Sequence, residues 1–94
     1  MARQLVFRSH AIRRMFQREI GVADIRHVVA TGEVIEDRPD DLPYPSRLVL
    51  GSIRGRPLHV VVTDDDNNAT TIVVTVYEPD PSLWRPCNRK SRRP

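Results

Sequence analysis

Hydrophobic and polar residues alternate most regularly in the third quarter of the chain. Two runs, Leu58 to Thr63 and Thr71 to Tyr77, are rich in Val, Ile and Thr and flank an Asp/Asn-rich turn. Branched Cβ atoms suit a pleated, packed surface, and two such runs around a polar turn predict a long β-hairpin. Alternation gives each run two faces. Leu58, Val60 and Val62 oppose His59, Val61 and Thr63, while Ile72, Val74 and Val76 oppose Val73, Thr75 and Tyr77. The wholly aliphatic sets are the predicted core, which leaves His59, Thr63, Thr75 and Tyr77 together on the other face.

Upstream the period lengthens. Leu5 to Arg8 is a short alternation, an edge strand or an extended lead-in. From His10 to about Ile20, apolar residues recur at three- and four-residue steps (Ala11, Ile12, Met15, Phe16, Ile20). That spacing predicts an amphipathic helix, capped by Ser9 and stopped by a left-handed Gly21. Its wet stripe is basic, with His10, Arg14, Gln17 and Arg18 in line and Arg13 beside them. A second helix, about Val22 to Ala30, carries Ile25, Val28 and Val29 on one side and ends at Gly32. Asp24 falls in its first turn, where a carboxylate complements the helix dipole. Helices this short depend on tertiary packing, so both need a sheet.

Glu33 to Asp37 and Arg47 to Ile53 read as further strands. Between them, Pro39, Pro43 and Pro45 favour an extended, ordered loop. Arg54-Gly55-Arg56-Pro57 turns the chain into the hairpin, and Glu78-Pro79-Asp80-Pro81 ends it. Short connections predict antiparallel neighbours. The expected fold is α+β, with two N-terminal helices on one face of a three- to five-stranded antiparallel sheet. Residues 1–84 form this single domain and residues 85–94 a basic, flexible tail.

Charge sharpens the picture by position. Residues 1–31 hold six Arg against two acids, residues 32–83 four Arg against ten acids, and residues 84–94 four Arg and Lys90 with no acid. Fourteen of the fifteen basic residues are Arg, whose planar fork fits phosphate in a way that Lys does not. This distribution points to an anionic partner. The single cysteine, Cys87, permits no internal disulfide and fits a reducing compartment. No apolar run approaches the ~18–20 residues of a membrane span, so a cytoplasmic protein is expected.

Candidate chemistry lies in histidine, arginine and tyrosine. The sequence contains no glycine-rich phosphate loop, no metal-spaced Cys/His cluster and no nucleophile elbow. No cofactor or metal is expected, and the acids at 40–41 and 64–66 read as solvated turn residues. Metal-independent cleavage of an RNA phosphodiester needs a base, a cation for the phosphorane and an acid for the leaving oxygen. Histidine titrates near the working pH and can fill either proton-transfer role. Arginine supplies fixed positive charge where the transition state gathers negative charge. His10, Arg14, His59 and Tyr77 are the candidate catalytic set. Arg13, Arg18, Arg56, Glu78 and Trp84 are the candidate substrate-binding set. Each has a structural reading beside the functional one: a hydrogen-bonded core histidine, a solvated helix face, a rim aromatic, an Arg–Glu pair.

Several short motifs occur in order: Ser9-His10-Ala11 through Arg14-Met15 and Arg18; Gly32 to Glu36; Pro43-Tyr44-Pro45-Ser46; Gly55 to Val61; and Thr75 to Asp80. Together they resemble the bacterial domain-of-unknown-function family 4258, over about residues 7–84. The resemblance extends to the wider superfamily of RelE-like and BrnT-like toxins, some of which are encoded beside a zinc-ribbon antitoxin. It implies a small RNase-like fold, and the family's motif residues match His10, Arg14, His59, Tyr77 and Glu78. The tail departs from the pattern: Arg85-Pro86-Cys87-Asn88-Arg89-Lys90 lacks the aromatic expected after Trp84.

The expected function is therefore an mRNA endoribonuclease acting as the toxin of a type II toxin–antitoxin pair. Its expected partners are RNA, the ribosome and a cognate antitoxin. The alternative is a non-catalytic module that binds nucleic acid or protein through the same surface. Both require His10 and Arg14 to reach the sheet face that carries His59 and Tyr77.

Overall fold

The computed structural model describes residues 4–40 and 44–79. Strand β1 (Gln4–Phe7) leads into helices α1 (Ser9–Gln17) and α2 (Val22–Thr31). Strands β2 (Glu33–Arg38), β3 (Ser46–Ile53), β4 (Arg56–Asp65) and β5 (Thr70–Tyr77) follow. They form one five-stranded sheet in the order β1-β5-β4-β3-β2. Strands β2 to β5 are an antiparallel meander, as the short connections predict. The sheet as a whole is mixed, because β1 lies parallel to β5, with Gln4 beside Thr70 and Phe7 beside Val73. The expectation of a purely antiparallel sheet fails here for a simple reason. A parallel neighbour requires a long crossover, and both helices with three strands lie between β1 and β5.

The core fills the space between the helices and one sheet face. Ala11, Met15, Ile20, Ile25 and Val28 meet Leu58, Val60 and Val62 in a single buried cluster with Val49, Val73 and Val76. The aliphatic face of β4 is the one predicted. That of β5 is not. Thr75 stands opposite Val61 and Val73 opposite Val62, so Val74 is an extra residue with no partner across the ladder. This β-bulge reverses the alternation below it. Val73 and Val76 are fully buried while Ile72 and Val74 are only half-buried, in place of the expected Ile72, Val74, Val76 set.

Helix α1 also differs from its pattern. Only Ala11 and Met15 of its own residues face the core; Ile12 is 55% and Phe16 87% exposed. The helix sits over β5, near the edge of the sheet, and no described element covers its second apolar stripe. Ser9 is the first helical residue and the N-cap is Arg8, with no side-chain cap. The left-handed stop is Glu19, at φ 57°, and the Ile20 N–H donates to the Met15 carbonyl in a Schellman-type ending. Gly21 is instead the extended N-cap of α2.

The non-glycine left-handed stop is held from outside the helix. Arg54 donates to the Glu19 carbonyl (3.1 Å) and Arg56 to the Arg18 carbonyl (3.3 Å), so the two carbonyls just past the end of α1 meet guanidinium groups. Both arginines come from the β3–β4 turn. Arg54 and Gly55 stand between the paired Ile53 and Arg56 at φ 49° and 80°, the positive values a two-residue hairpin favours. Arg54 also pairs with both Asp24 oxygens at 3.2 Å, which ties the start of α2 to the same turn.

The acids at 64–66 are not uniformly solvated. Asp64 pairs with Arg47 and accepts from the Thr71 hydroxyl, and Asp65 is buried and accepts from the Asn68 amide. The turn itself is a single 3₁₀ turn, Asp66–Asn68, closed by a left-handed Ala69. At the end of the proline loop, the Pro45 carbonyl accepts from the Thr63 hydroxyl at 2.7 Å. Residues 41–43, Trp84 and the tail at 85–94 lie outside the described residues.

Candidate functional site

Strands β2 to β5 place outward residues on the helix-free face of the sheet around His59. His59 faces away from Leu58 and Val60, which point into the helical core, and it stands opposite Tyr77 on β5. The two rings meet edge to face, with centroids 5.1 Å apart and planes at 75°. That geometry brings the positive edge of one ring to the negative face of the other. His59 is completely buried, whereas Tyr77 is half-buried. On β3, Leu50 neighbours His59 and Leu48 neighbours Val61, so the floor of this face is apolar.

Charge enters from β2. Glu36 stands opposite Leu48 and pairs with Arg38 at 2.7 Å, both side chains reaching solvent. Burial pushes the Tyr77 phenol above its ordinary value, the Glu36 carboxylate pushes it further the same way, and Arg38 opposes them. Tyr77 thus responds to the Glu36–Arg38 pair although β4 and β3 lie between their strands. A phenol whose proton is held more tightly than usual, a carboxylate and a guanidinium share one sheet face, with a buried imidazole beside the phenol.

The remaining sequence candidates lie elsewhere. His10 and Arg14 belong to α1, in the layer on the opposite side of the sheet, so they do not join His59 and Tyr77. Exposed Arg13 and Arg18 lie on or beside the same helix. Arg56 holds the end of α1 and pairs with Glu78 at 3.6 Å, both partly exposed. The structure therefore separates two surfaces that the sequence reading joined: a basic helical surface and a His59–Tyr77 sheet face. Glu36 and Arg38 were missed as site residues. Glu36 lies in the Glu33 to Asp37 alternation and Arg38 just past it, but the register across β2 and β3 shifts near Ile35, between Val34 and Glu36. The face of each residue therefore could not be counted from the strand start.

Among the described residues, no group of three or more His, Cys, Asp or Glu could hold a metal ion. No described helix is long and apolar enough to cross a membrane.

One family profile, described as Domain of unknown function (DUF4258), matches residues 7–78. That span runs from the end of β1 to the residue after β5 and holds every element except most of the first strand. The chain belongs to the DUF4258 family. Within this DUF4258 domain lie both surfaces described above, the His59–Tyr77 face and the basic α1 face. No curated protein and no solved structure gives a significant match.

Proposed function

We propose that this DUF4258 protein is a metal-independent endoribonuclease of the toxin–antitoxin type, and that it works on RNA through the helix-free sheet face. The observation that carries the reading is the His59–Tyr77 pair on the same sheet face as Glu36 and Arg38. Those groups match the three needs of phosphodiester cleavage by an internal nucleophile. Glu36 takes the proton of the RNA 2′-hydroxyl as its oxygen attacks phosphorus. Arg38 meets the charge that gathers on the phosphorane oxygens. Tyr77 gives its phenolic proton to the departing 5′-oxygen, leaving a 2′,3′-cyclic phosphate and a free 5′-hydroxyl; water then restores both protonation states. His59, with no exposed surface, acts as a positioning residue that orients the Tyr77 ring.

In this assignment His10, Arg13, Arg14 and Arg18 are not catalytic. They form a basic helix surface for contacts with RNA backbone, ribosome or antitoxin. A second reading, a binding module without catalysis, is favoured by the complete burial of His59 and by the 87% exposed Phe16 amid those arginines. The first experiment is induction of the protein in a bacterial host, with growth and total RNA followed together. Growth arrest with RNA fragments carrying 5′-hydroxyl ends supports the nuclease. Intact RNA in arrested cells favours the binding module, and harmless expression with intact RNA contradicts the toxin reading.

A further inference from the structure

The two helices leave one corner of their own sheet face uncovered. Helix α1 begins where the Arg8 N–H meets the Val73 carbonyl and proceeds towards the β3–β4 turn, which holds its end. Helix α2 starts beside that turn, which its first-turn Asp24 meets through Arg54, and ends at Gly32. Beside it, between β1, the start of β3 and the start of β5, lies a cleft of about 450 Å³. This is within the ~300–1,000 Å³ of small-molecule sites. It lies on the opposite side of the sheet from the His59–Tyr77 face and is independent of the nuclease reading.

The cleft is lined by both apolar and cationic residues. Leu5 of β1 and Val29 of α2 are apolar, and Arg26, Arg47 and Thr71 also line it. Arg47 is pre-aimed: one of its nitrogens pairs with Asp64, which in turn accepts from the buried Thr71 hydroxyl at 2.9 Å. A guanidinium carries five N–H donors, so that ion pair orients Arg47 and leaves donors for a ligand. The Arg26 side chain is exposed and makes no ion pair or hydrogen bond among the described residues. Two arginines lining an apolar cleft suit a phosphate attached to a ring: their forks can bind the phosphate oxygens, and the aliphatic residues can cover the ring face.

We infer that the cleft between Leu5, Val29, Arg26 and Arg47 binds a nucleoside 5′-phosphate, either a free nucleotide or the 5′-phosphorylated end of an RNA strand. The test is an amide and arginine Nε–H NMR titration of the full chain. Its ligands are adenosine monophosphate, adenosine, and an RNA trinucleotide with and without a 5′-phosphate. The expected result is a shift of the Leu5, Arg47 and Thr71 amides and the Arg26 Nε–H by a phosphorylated ligand, with weaker binding of its unphosphorylated counterpart. Binding by the nucleotide alone identifies the free metabolite as the source, and binding by the phosphorylated trinucleotide alone identifies the RNA end. Arg26→Glu, at an exposed position that leaves the Arg47–Asp64–Thr71 network intact, should weaken binding by about tenfold or more, since a charge-assisted contact becomes a repulsion. Absence of these shifts with both phosphorylated ligands overturns the inference. So does equal binding of the unphosphorylated counterparts, or unchanged binding by Arg26→Glu.

Discussion

Gly51 of β3 lies so close beneath Val28 of α2 that a Cβ on the glycine would come within 2.8 Å of both Val28 methyls. Val28 is fully buried and β-branched, so it has little freedom to turn aside. Gly51→Ala should therefore destabilise the fold by about 1–3 kcal/mol, the usual range for overpacking. Val28→Ala removes the obstructing methyls. Chemical denaturation of both single variants and the double variant checks the contact: the double should lose less than the sum of the singles.

The exposed stripe of α1 should be nearly silent in stability. Phe16 is 87% exposed, so Phe16→Ser should change the unfolding free energy by no more than about 0.5 kcal/mol. Leu58, 2% exposed in the core, should cost about 2–5 kcal/mol when changed to Ala. Thermal melts of the two variants under one buffer decide this. A large loss at Phe16 would show that the side chain is covered in solution.

Asp24 links the start of α2 to acid stability. Its carboxylate accepts the Gly21 N–H at 2.9 Å, and this bond, with the Arg54 pairing, lowers its pKa below the ordinary 3.8. The folded state therefore holds the proton less tightly than the unfolded chain does. The resulting stabilisation is present above pH 3.8 and is lost as pH falls from there through the folded pKa. Asp24→Asn should be less stable than the parent at pH 6, and the gap between them should close on acidification. Melting temperatures from pH 6 to pH 2.5 measure it.

Tyr77 should titrate late. Its phenol is raised above the ordinary 10.0, chiefly by burial and then by Glu36, so alkali removes its proton after that of an unfolded tyrosine. The folded state keeps the proton longer, and stability falls as pH rises from about 10 through the folded pKa. In a Tyr44→Phe background, phenolate absorbance reports Tyr77 alone. Its midpoint should lie above 10.0 and move down in Glu36→Gln.

The legible parts of the fold were those governed by local period. Leu58, Val60 and Val62 alternate without interruption, and their burial follows from that pattern. Val73 did not, because the bulge at Val74 inserts a residue that no two-residue period can signal. Phe16 sits at helical spacing from Ile12, but spacing cannot say whether a neighbour exists to cover the stripe. The parallel seat of β1 likewise depends on a contact with the far end of the described chain. For the site, His59 and Tyr77 were legible as residues on one face of adjacent strands. Their separation from His10 and Arg14 was not, because which face the helices cover is a tertiary fact. Glu36 and Arg38 were hidden by the irregular β2 register.

The central claim is that the helix-free face, and not the α1 histidine, carries cleavage. Its most direct test is a comparison of purified parent, Tyr77→Phe, Glu36→Gln and His10→Ala on an end-labelled single-stranded RNA, with and without ribosomes. The expected result is cleavage to 2′,3′-cyclic phosphate ends by the parent and by His10→Ala, with losses of about 10²-fold or more in Tyr77→Phe and Glu36→Gln. Intact RNA with the parent under both conditions, or cleavage that survives both face variants but fails in His10→Ala, would contradict it.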